Sequence, residues 1–390
     1  MGLKTAFWIF TGIIVYAYLG YTLLLVVLAF FQRSRSKAFE KQPFEPHLTL
    51  LIPAYNEAGS IEAKMENSMS LDYPKEKLNI IWVTDGSDDE SLSVLSRYQN
   101  IDVHHLPERK GKIHAMNRGM KLVSTSFVVF TDANTMLNRN AIREMMKYFA
   151  DARVGCVAGE KRIQDNNVEK AVEAGEGLYW RYESLIKKLE SKNGSAVGAV
   201  GELFAIRTEI FEEVREDTIL DDFAISLQIA SRGYFIKYAP GAKGTETASV
   251  SVKEELKRKI RIACGGWQTL FRMPHLLNIF SYGFLSLKYL SHKVLRWTLV
   301  PLSFFMAFIT NMLIVWGRPL LSDFYGYLLG LQILFYMAVI WGALFNNRRT
   351  RIKILFAPYY LFFMNYAIVA GMIRYLSGNY SVKWEKAKRS

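Results

Sequence analysis

The chain opens on a long apolar run and then changes character. Residues 6–31 (AFWIFTGIIVYAYLGYTLLLVVLAFF) carry no charge over 26 positions, and about 20 such residues suffice to cross the hydrocarbon of a bilayer. The run is longer than a signal-peptide core, and no small-residue cleavage site follows it. The same signal returns past residue 290 and predicts spans over 294–316, 324–345 and 354–373. Between these ends, short apolar runs rich in β-branched and aromatic residues alternate with helical ones. LTLLIPAY (48–55), LNIIWVTDGS (78–87) and SFVVFTDAN (126–134) predict strands, with helices over 61–70 and 113–122. Strands separated by helices predict an α/β domain with a mixed, mainly parallel sheet. Residues 274–289 (PHLLNIFSYGFLSLKY) are apolar but short, and they predict a helix lying in the membrane interface. The tail SVKWEKAKRS, with Trp384 among lysines, predicts a second interfacial strip.

These patterns divide the chain into an N-terminal transmembrane helix (1–32), a cytosolic α/β domain (33–270), an interfacial region (271–293), about three C-terminal spans (294–375) and a basic tail (376–390). Only Lys4 precedes the first span, whereas Arg33, Arg35 and Lys37 follow it. The positive-inside rule therefore predicts a multi-pass protein of the plasma or inner membrane with its middle domain in the cytosol. The cluster Arg348, Arg349, Arg351 and Lys353 falls on the same side. A full fourth span would then carry Lys383, Lys386, Lys388 and Arg389 to the opposite side, against the rule.

Charge adds one constraint. Lys and Arg number 49 against 36 Asp and Glu, a net +13. Basic flanks set against anionic headgroups explain much of that excess. No basic helix interleaved with aromatics is present, so nucleic acid is not an expected partner. Two cysteines, Cys156 and Cys264, exclude a disulfide scaffold and a four-cysteine zinc site. His104, His105, His114 and His275 show no metal-ligand spacing.

The candidate chemistry sits where strands end, which is where open α/β sheets bind ligands. Asn56 and Glu57 follow the first predicted strand, Asp85 to Asp89 close the second, and Asp132 and Asn134 follow the third. One such carboxylate is ordinary turn chemistry; three in succession point to a site. Asp132 and Asn134 offer oxygens to a hard divalent cation, Mg²⁺ or Mn²⁺, which would neutralise a diphosphate. Asp85 and Asp89 suit hydrogen bonds to a base or ribose. RKGKIHAMNRG (109–119) sets Arg109, Lys110 and Lys112 at a helix start, a candidate anion site. GAVGELFAIR (198–207) is a small-residue loop that lets backbone approach a ligand. DTILDDFAISLQIASRGY (217–234) puts Asp221 and Asp222 at a helix N-terminus, where they complement the dipole or supply a general base.

In this order and spacing, LLIPAYNEAGSI, LDYPKEKLNIIWVTDGSDD, RKGKIHAMNRGM, FTDANTML, GELFAIR and DDFAISLQIASRGY resemble the family 2 glycosyltransferases. The likeness is to their membrane-embedded branch, which includes cellulose, chitin, hyaluronan and poly-N-acetylglucosamine synthases. It implies a GT-A (Rossmann-like) domain that moves a sugar, with inversion, from a nucleotide-sugar donor, usually UDP-linked, to a hydroxyl of a saccharide or lipid-linked acceptor. By position, Tyr55, Glu57, Asp85 and Lys112 would contact the nucleoside or its phosphates. Asp132 would be a metal ligand and Asp222 the base. Asp221 takes the place of the Glu in the family's Glu-Asp pair. Gly201 and Glu202 belong to the loop that supports the acceptor.

Two departures bear on what is made. Asn134 replaces the second acid of the family's Asp-x-Asp motif and is a weaker metal ligand. Processive members carry Gln-x-x-Arg-Trp, where this chain reads Arg258-Lys259-Ile260-Arg261-Ile262. Arg258 and Arg261 would still face the diphosphate, and Trp267 would supply the missing aromatic face. The expectation is therefore transfer of one or a few sugars rather than a long chain. The alternative is a non-catalytic, nucleotide-sugar-binding membrane partner of a polysaccharide synthase.

Overall fold

The computed structural model describes residues 2–31, 44–164, 171–247, 251–345 and 357–382. The basic clusters at 33–37 and 348–353, and the tail from Lys383 with Trp384, lie outside the described residues.

The predicted strands form where period-two burial meets β-branched sequence. In β1 (Leu48–Ala54), Leu48, Leu50 and Ile52 join one core, and Leu51 points into the other. Its neighbours are β2 (Leu78–Asp85) and β4 (Phe127–Thr131), and β3 (Asp102–Leu106) flanks β2, all parallel. The sheet continues through β5 (Met136–Leu137), β6 (Val154–Gln164), β7 (Leu203–Arg207) and β8 (Phe235–Thr247) in the order β3-β2-β1-β4-β7-β6-β8-β5. β7 is antiparallel to both β4 and β6. The mixed, mainly parallel sheet expected from the sequence is thus observed.

Helices cover both faces. Ala58–Met69 and Ala141–Phe149 bury Ile61, Met65, Met145 and Met146 against one side. Lys112–Met120 and Asp221–Ser231 bury Ile113, Met116, Ile225 and Ile229 against the other. Each buried aliphatic side chain contributes roughly 1.5–3 kcal/mol relative to exposure.

The membrane part differs from its prediction in two places. Leu3–Phe31 and Phe324–Phe345 are long and apolar enough to cross a bilayer, as expected. The span predicted over 294–316 is instead a pair, Phe284–Trp297 and Leu299–Val315, bent by 53°. Pro301 has no N–H to give the Trp297 carbonyl, and this loss accounts for the break. Counting that pair as one span gives three candidates among the described residues, not four. Helix Ala357–Leu376, predicted as the fourth span, carries Pro358, Asn365 and Arg374 and packs along helix Val252–Arg272. Contact is close: a Cβ on Gly371 would lie 2.6 Å from that of Ala263. The chain beyond it turns back onto the sheet domain, where the Val382 carbonyl comes 3.2 Å from a Cβ position on Gly111. The last described residues thus pack against the α/β domain, with Val382 against its second core. The interfacial segment is three short turns, Pro274–Leu277, Ile279–Tyr282 and Phe284–Lys288, with Phe280 almost wholly exposed.

Gly266 joins the two parts. A Cβ there would sit 1.8 Å from Trp297 Cζ3, so glycine alone lets the Trp297 ring lie against helix Val252–Arg272 and beside Phe223. Gly266→Ala is expected to destabilise the protein by about 1–3 kcal/mol, and adding Trp297→Leu should recover most of that loss. Thermal unfolding of the single and double variants in detergent measures both.

Candidate active site

The parallel run of β1, β2 and β4 brings Ala54, Asp85 and Thr131 to one edge of the sheet. Gly86 has φ +67°, and a Cβ on it would fall 2.7 Å from the Arg109 backbone nitrogen. Glycine here lets the 109–112 loop lie across the end of β2. Asp85 then fixes that loop: its carboxylate accepts the backbone N–H groups of Lys110 at 3.1 Å and Gly111 at 2.6 Å. Asp89 likewise accepts from the backbone of Ala58 and Ser91. Both acids, read from the sequence as ligands for base or ribose, have oxygens engaged in holding the edge together. Glu57 is buried, with its N–H on Ser91 and its carboxylate accepting from Ser60. Tyr55 lies under the Arg109 guanidinium, 3.8 Å from the ring centroid. Tyr55, Asp85 and Arg109 line a narrow notch that also reaches Lys112.

Helix Lys112–Met120 starts from Gly111 (φ +109°) and aims Lys112 over the sheet edge. Its ammonium lies 2.7 Å from Asp132 Oδ1 and 3.2 Å from Asp221 Oδ2. Burial opposes that charge, but Asp132 and Asp221 outweigh it and hold Lys112 above the usual lysine range. Below the same loop, Lys64 is fully buried and donates to Thr131 Oγ1 at 3.1 Å and the Thr135 carbonyl at 2.5 Å. Burial pushes Lys64 down to about 7, against the pull of Asp132 and Glu246.

Asp222 follows Asp221 at the start of helix Asp221–Ser231, and its Oδ1 is buried with no hydrogen-bond partner among the described residues. Burial, then the charges of Asp221 and Glu202, push this carboxyl up to about 7, against Lys112. Gly201 covers it: a Cβ there would reach 3.4 Å from the Asp222 carboxylate. Pairing of Thr131 with Leu203 brings Glu202 beside Asp132. Lys161 holds Glu202 and also pairs with Glu246 at 2.9 Å. Arg258 is bidentate to Glu255, at 3.0 and 3.1 Å, with Glu246 at 3.8 Å.

One cavity of about 270 Å³ gathers these groups. Lys112, Asp132, Asp221 and Asp222 line one wall, Gly201 and Glu202 another, and Arg258 and Arg261 a third. Asn134 is half-buried and does not line it. Neither does Trp267, the predicted aromatic face for an acceptor. Trp267 is buried, donates its indole N–H to the Ile368 carbonyl at 3.1 Å and stacks on Phe271. That position is set by packing against helix Ala357–Leu376. Trp180 lines the cavity instead, with Lys259 and Lys161 at 5.0 and 5.7 Å from its ring.

This geometry has known counterparts. The family model described as "Glycosyltransferase like family 2" matches residues 46–265. The chain belongs to that family. Among curated relatives, the chain is 31% identical over 237 residues to the poly-β-1,6-N-acetyl-D-glucosamine synthase of Staphylococcus aureus, covering 58% of this chain and 56% of that protein. The corresponding Staphylococcus epidermidis synthase is 27% identical over 253 residues, covering 62% and 60%. The transferase thus spans a little over half the length of the curated relatives it matches. Among solved structures, a mannosyltransferase from Pyrobaculum calidifontis, in complex with GDP-Man and Mn²⁺, superposes with a TM-score of 0.71 at 20% identity. That match covers 97% of this chain and all of the other. The α/β domain is a GT-A fold.

Lys64, Lys161, Trp180, Lys187 and Glu246 were not read from the sequence. The helix Ala171–Lys192 that carries Trp180 and Lys187 did leave a signal, the helical spacing of apolar positions in GLYWRYESLIKKLE. Lys161 and Glu246 reach the site only through the pairing of β6 with β8, which has no local trace.

Replacing Lys112 leaves two buried carboxylates facing each other without their cation. Lys112→Met is expected to cost about 3–5 kcal/mol of stability, and adding Asp132→Asn should recover part of it. Chemical unfolding of the purified variants reads this directly.

Proposed function

We propose that the transferase moves a sugar from a nucleoside-diphosphate donor, UDP-linked in the first instance, to a hydroxyl of a saccharide or lipid-linked acceptor with inversion at the anomeric carbon. The observation that carries this reading is the Asp222 carboxylate: buried, open at Oδ1, and next in the chain to Asp221, which shares the Lys112 ammonium with Asp132. The acceptor oxygen attacks C1 while its proton passes to Asp222. The bond from C1 to the diphosphate oxygen breaks, and its electron pair leaves with the diphosphate. Lys112, Arg258 and Arg261 supply positive charge on the walls where that leaving group develops its own. The notch of Tyr55, Arg109 and Asp85 takes the nucleoside.

A divalent cation fits this donor set in company with a diphosphate. Among the described residues no three His, Cys, Asp or Glu gather into a cage. Asp132 and Asp221 nevertheless converge on a single cation, the Lys112 ammonium. When Lys112 turns to a diphosphate, those two carboxylates call for another positive charge. Asp132, with Asn134 nearby in the chain, would hold Mg²⁺ or Mn²⁺, which Mg²⁺ sites typically complete with phosphate oxygens and water. Such an ion would neutralise charge on the leaving group.

Transfer of one or a few sugars, with the α/β domain on the cytosolic face of the plasma or inner membrane, fits the Arg-x-x-Arg-Ile segment and the flanking basic residues. The intact Asp222 weighs against a purely nucleotide-sugar-binding role.

Release of the nucleoside diphosphate by the purified protein tests the reading. Asp222→Asn should lower it by about 10²–10⁴-fold with the fold intact; unchanged turnover would remove Asp222 as base. The base must be ionised, so the rate should fall as pH drops through about 7, the value to which burial raises Asp222. A chelator should suppress activity, and added Mn²⁺ or Mg²⁺ should restore it.

A further inference from the structure

Away from Asp222 the cavity changes character. One side is apolar: Leu361, Met364, Ala367 and Ile368 come from helix Ala357–Leu376. The other side is cationic. Lys187, Lys293 and Arg296 line it against one carboxylate, Glu183. That carboxylate is already committed. Its Oε1 accepts from Arg296 at 2.7 Å, and its Oε2 faces His292 Nε2 at 3.0 Å. Lys293 stands 3.9 Å from it. The other nearby acid, Glu190, is taken by Tyr21, His292 and the Val197 N–H.

Lys187 has least of all. It is buried and, among the described residues, makes a single hydrogen bond, 3.4 Å long, to the Ala199 carbonyl and has no carboxylate at ion-pair distance. Burial pushes it below the usual lysine range, against Glu183 and Asp222. A buried ammonium without a counter-charge costs several kcal/mol, and Lys187 shares this wall with Lys293 and Arg296, which already draw on the one carboxylate there, Glu183. A bound anion would supply the counter-charge.

We propose that this end of the cavity receives a phosphate carried by a lipid acceptor. The phosphate lies among Lys187, Lys293 and Arg296, the hydrocarbon runs along the apolar face of helix Ala357–Leu376, and the accepting hydroxyl, on a sugar joined to that phosphate, points to Asp222. The proposal rests on the transferase reading for its last element only; the anion and the chain are argued from the wall itself. An anionic acceptor also gives Lys187 a role that a neutral sugar chain would not.

The experiment is a binding measurement on the full chain in phosphatidylcholine nanodiscs, with a short polyprenyl phosphate and the uncharged polyprenol of the same length as probes. The phosphate should bind about tenfold or more tightly than the alcohol, the value of one charge-assisted hydrogen bond. Lys187→Gln should erase most of that preference, and Lys187→Arg should keep it. Inorganic phosphate should compete poorly, because it lacks the chain. Equal binding of the two lipids, a preference that Lys187→Gln leaves intact, or inorganic phosphate that competes as well as the lipid would each overturn the proposal. UDP binding on the same discs reports on the donor reading separately, so failure of one is visible against the other.

Discussion

The Lys112 ammonium, held between Asp132 and Asp221, is the contact on which the rest of the site depends. It ties three distant parts of the chain: the helix that starts after the Asp85-bound loop, the end of β4, and the helix that carries Asp222. Each element is placed by its own core contacts, and Lys112 sets the spacing between donor side and acceptor side. In so dry a setting two carboxylates converge only around a cation. The same cation opposes the burial that pushes Asp222 up to about 7.

The ion pairs around this centre form a graded series. Lys161 is locked between Glu202 and Glu246, and Arg258 is forked onto Glu255, so these groups stiffen the walls. Lys112 is shared between two carboxylates. Lys187 has no ionic partner among the described residues. The cavity thus passes from matched charge, through a wall where Lys293 and Arg296 share Glu183 beside Lys187, to the apolar side chains of helix Ala357–Leu376.

Much of this was legible in the sequence, for local reasons. Period-two apolar runs ending in Asn-Glu, Asp-Gly and Asp-Ala announced both the parallel strands and the edge at which ligands collect. The Asp221-Asp222 pair was readable because a helix start leaves carboxylates little freedom. What escaped was set by tertiary pairing. Asp85 and Asp89 read as ligands because sequence shows an acid but not the backbone amides it already serves. Trp267 read as an acceptor platform because its spacing was suggestive; its indole N–H is engaged by the Ile368 carbonyl, and Trp180 lines the cavity. The helix of residues 357–376 read as a span because apolar content dominates it, yet Gly371 and Ala263 show that it is fitted against another helix.

The most direct test of the account is an electron cryomicroscopy structure of the protein in lipid with a bound nucleoside-diphosphate sugar. The account predicts the diphosphate at Lys112 and Asp132, the nucleoside at Tyr55 and the anomeric carbon turned toward Asp222. A nucleotide seated elsewhere, with the Lys112 ammonium still fixed between Asp132 and Asp221, would contradict it.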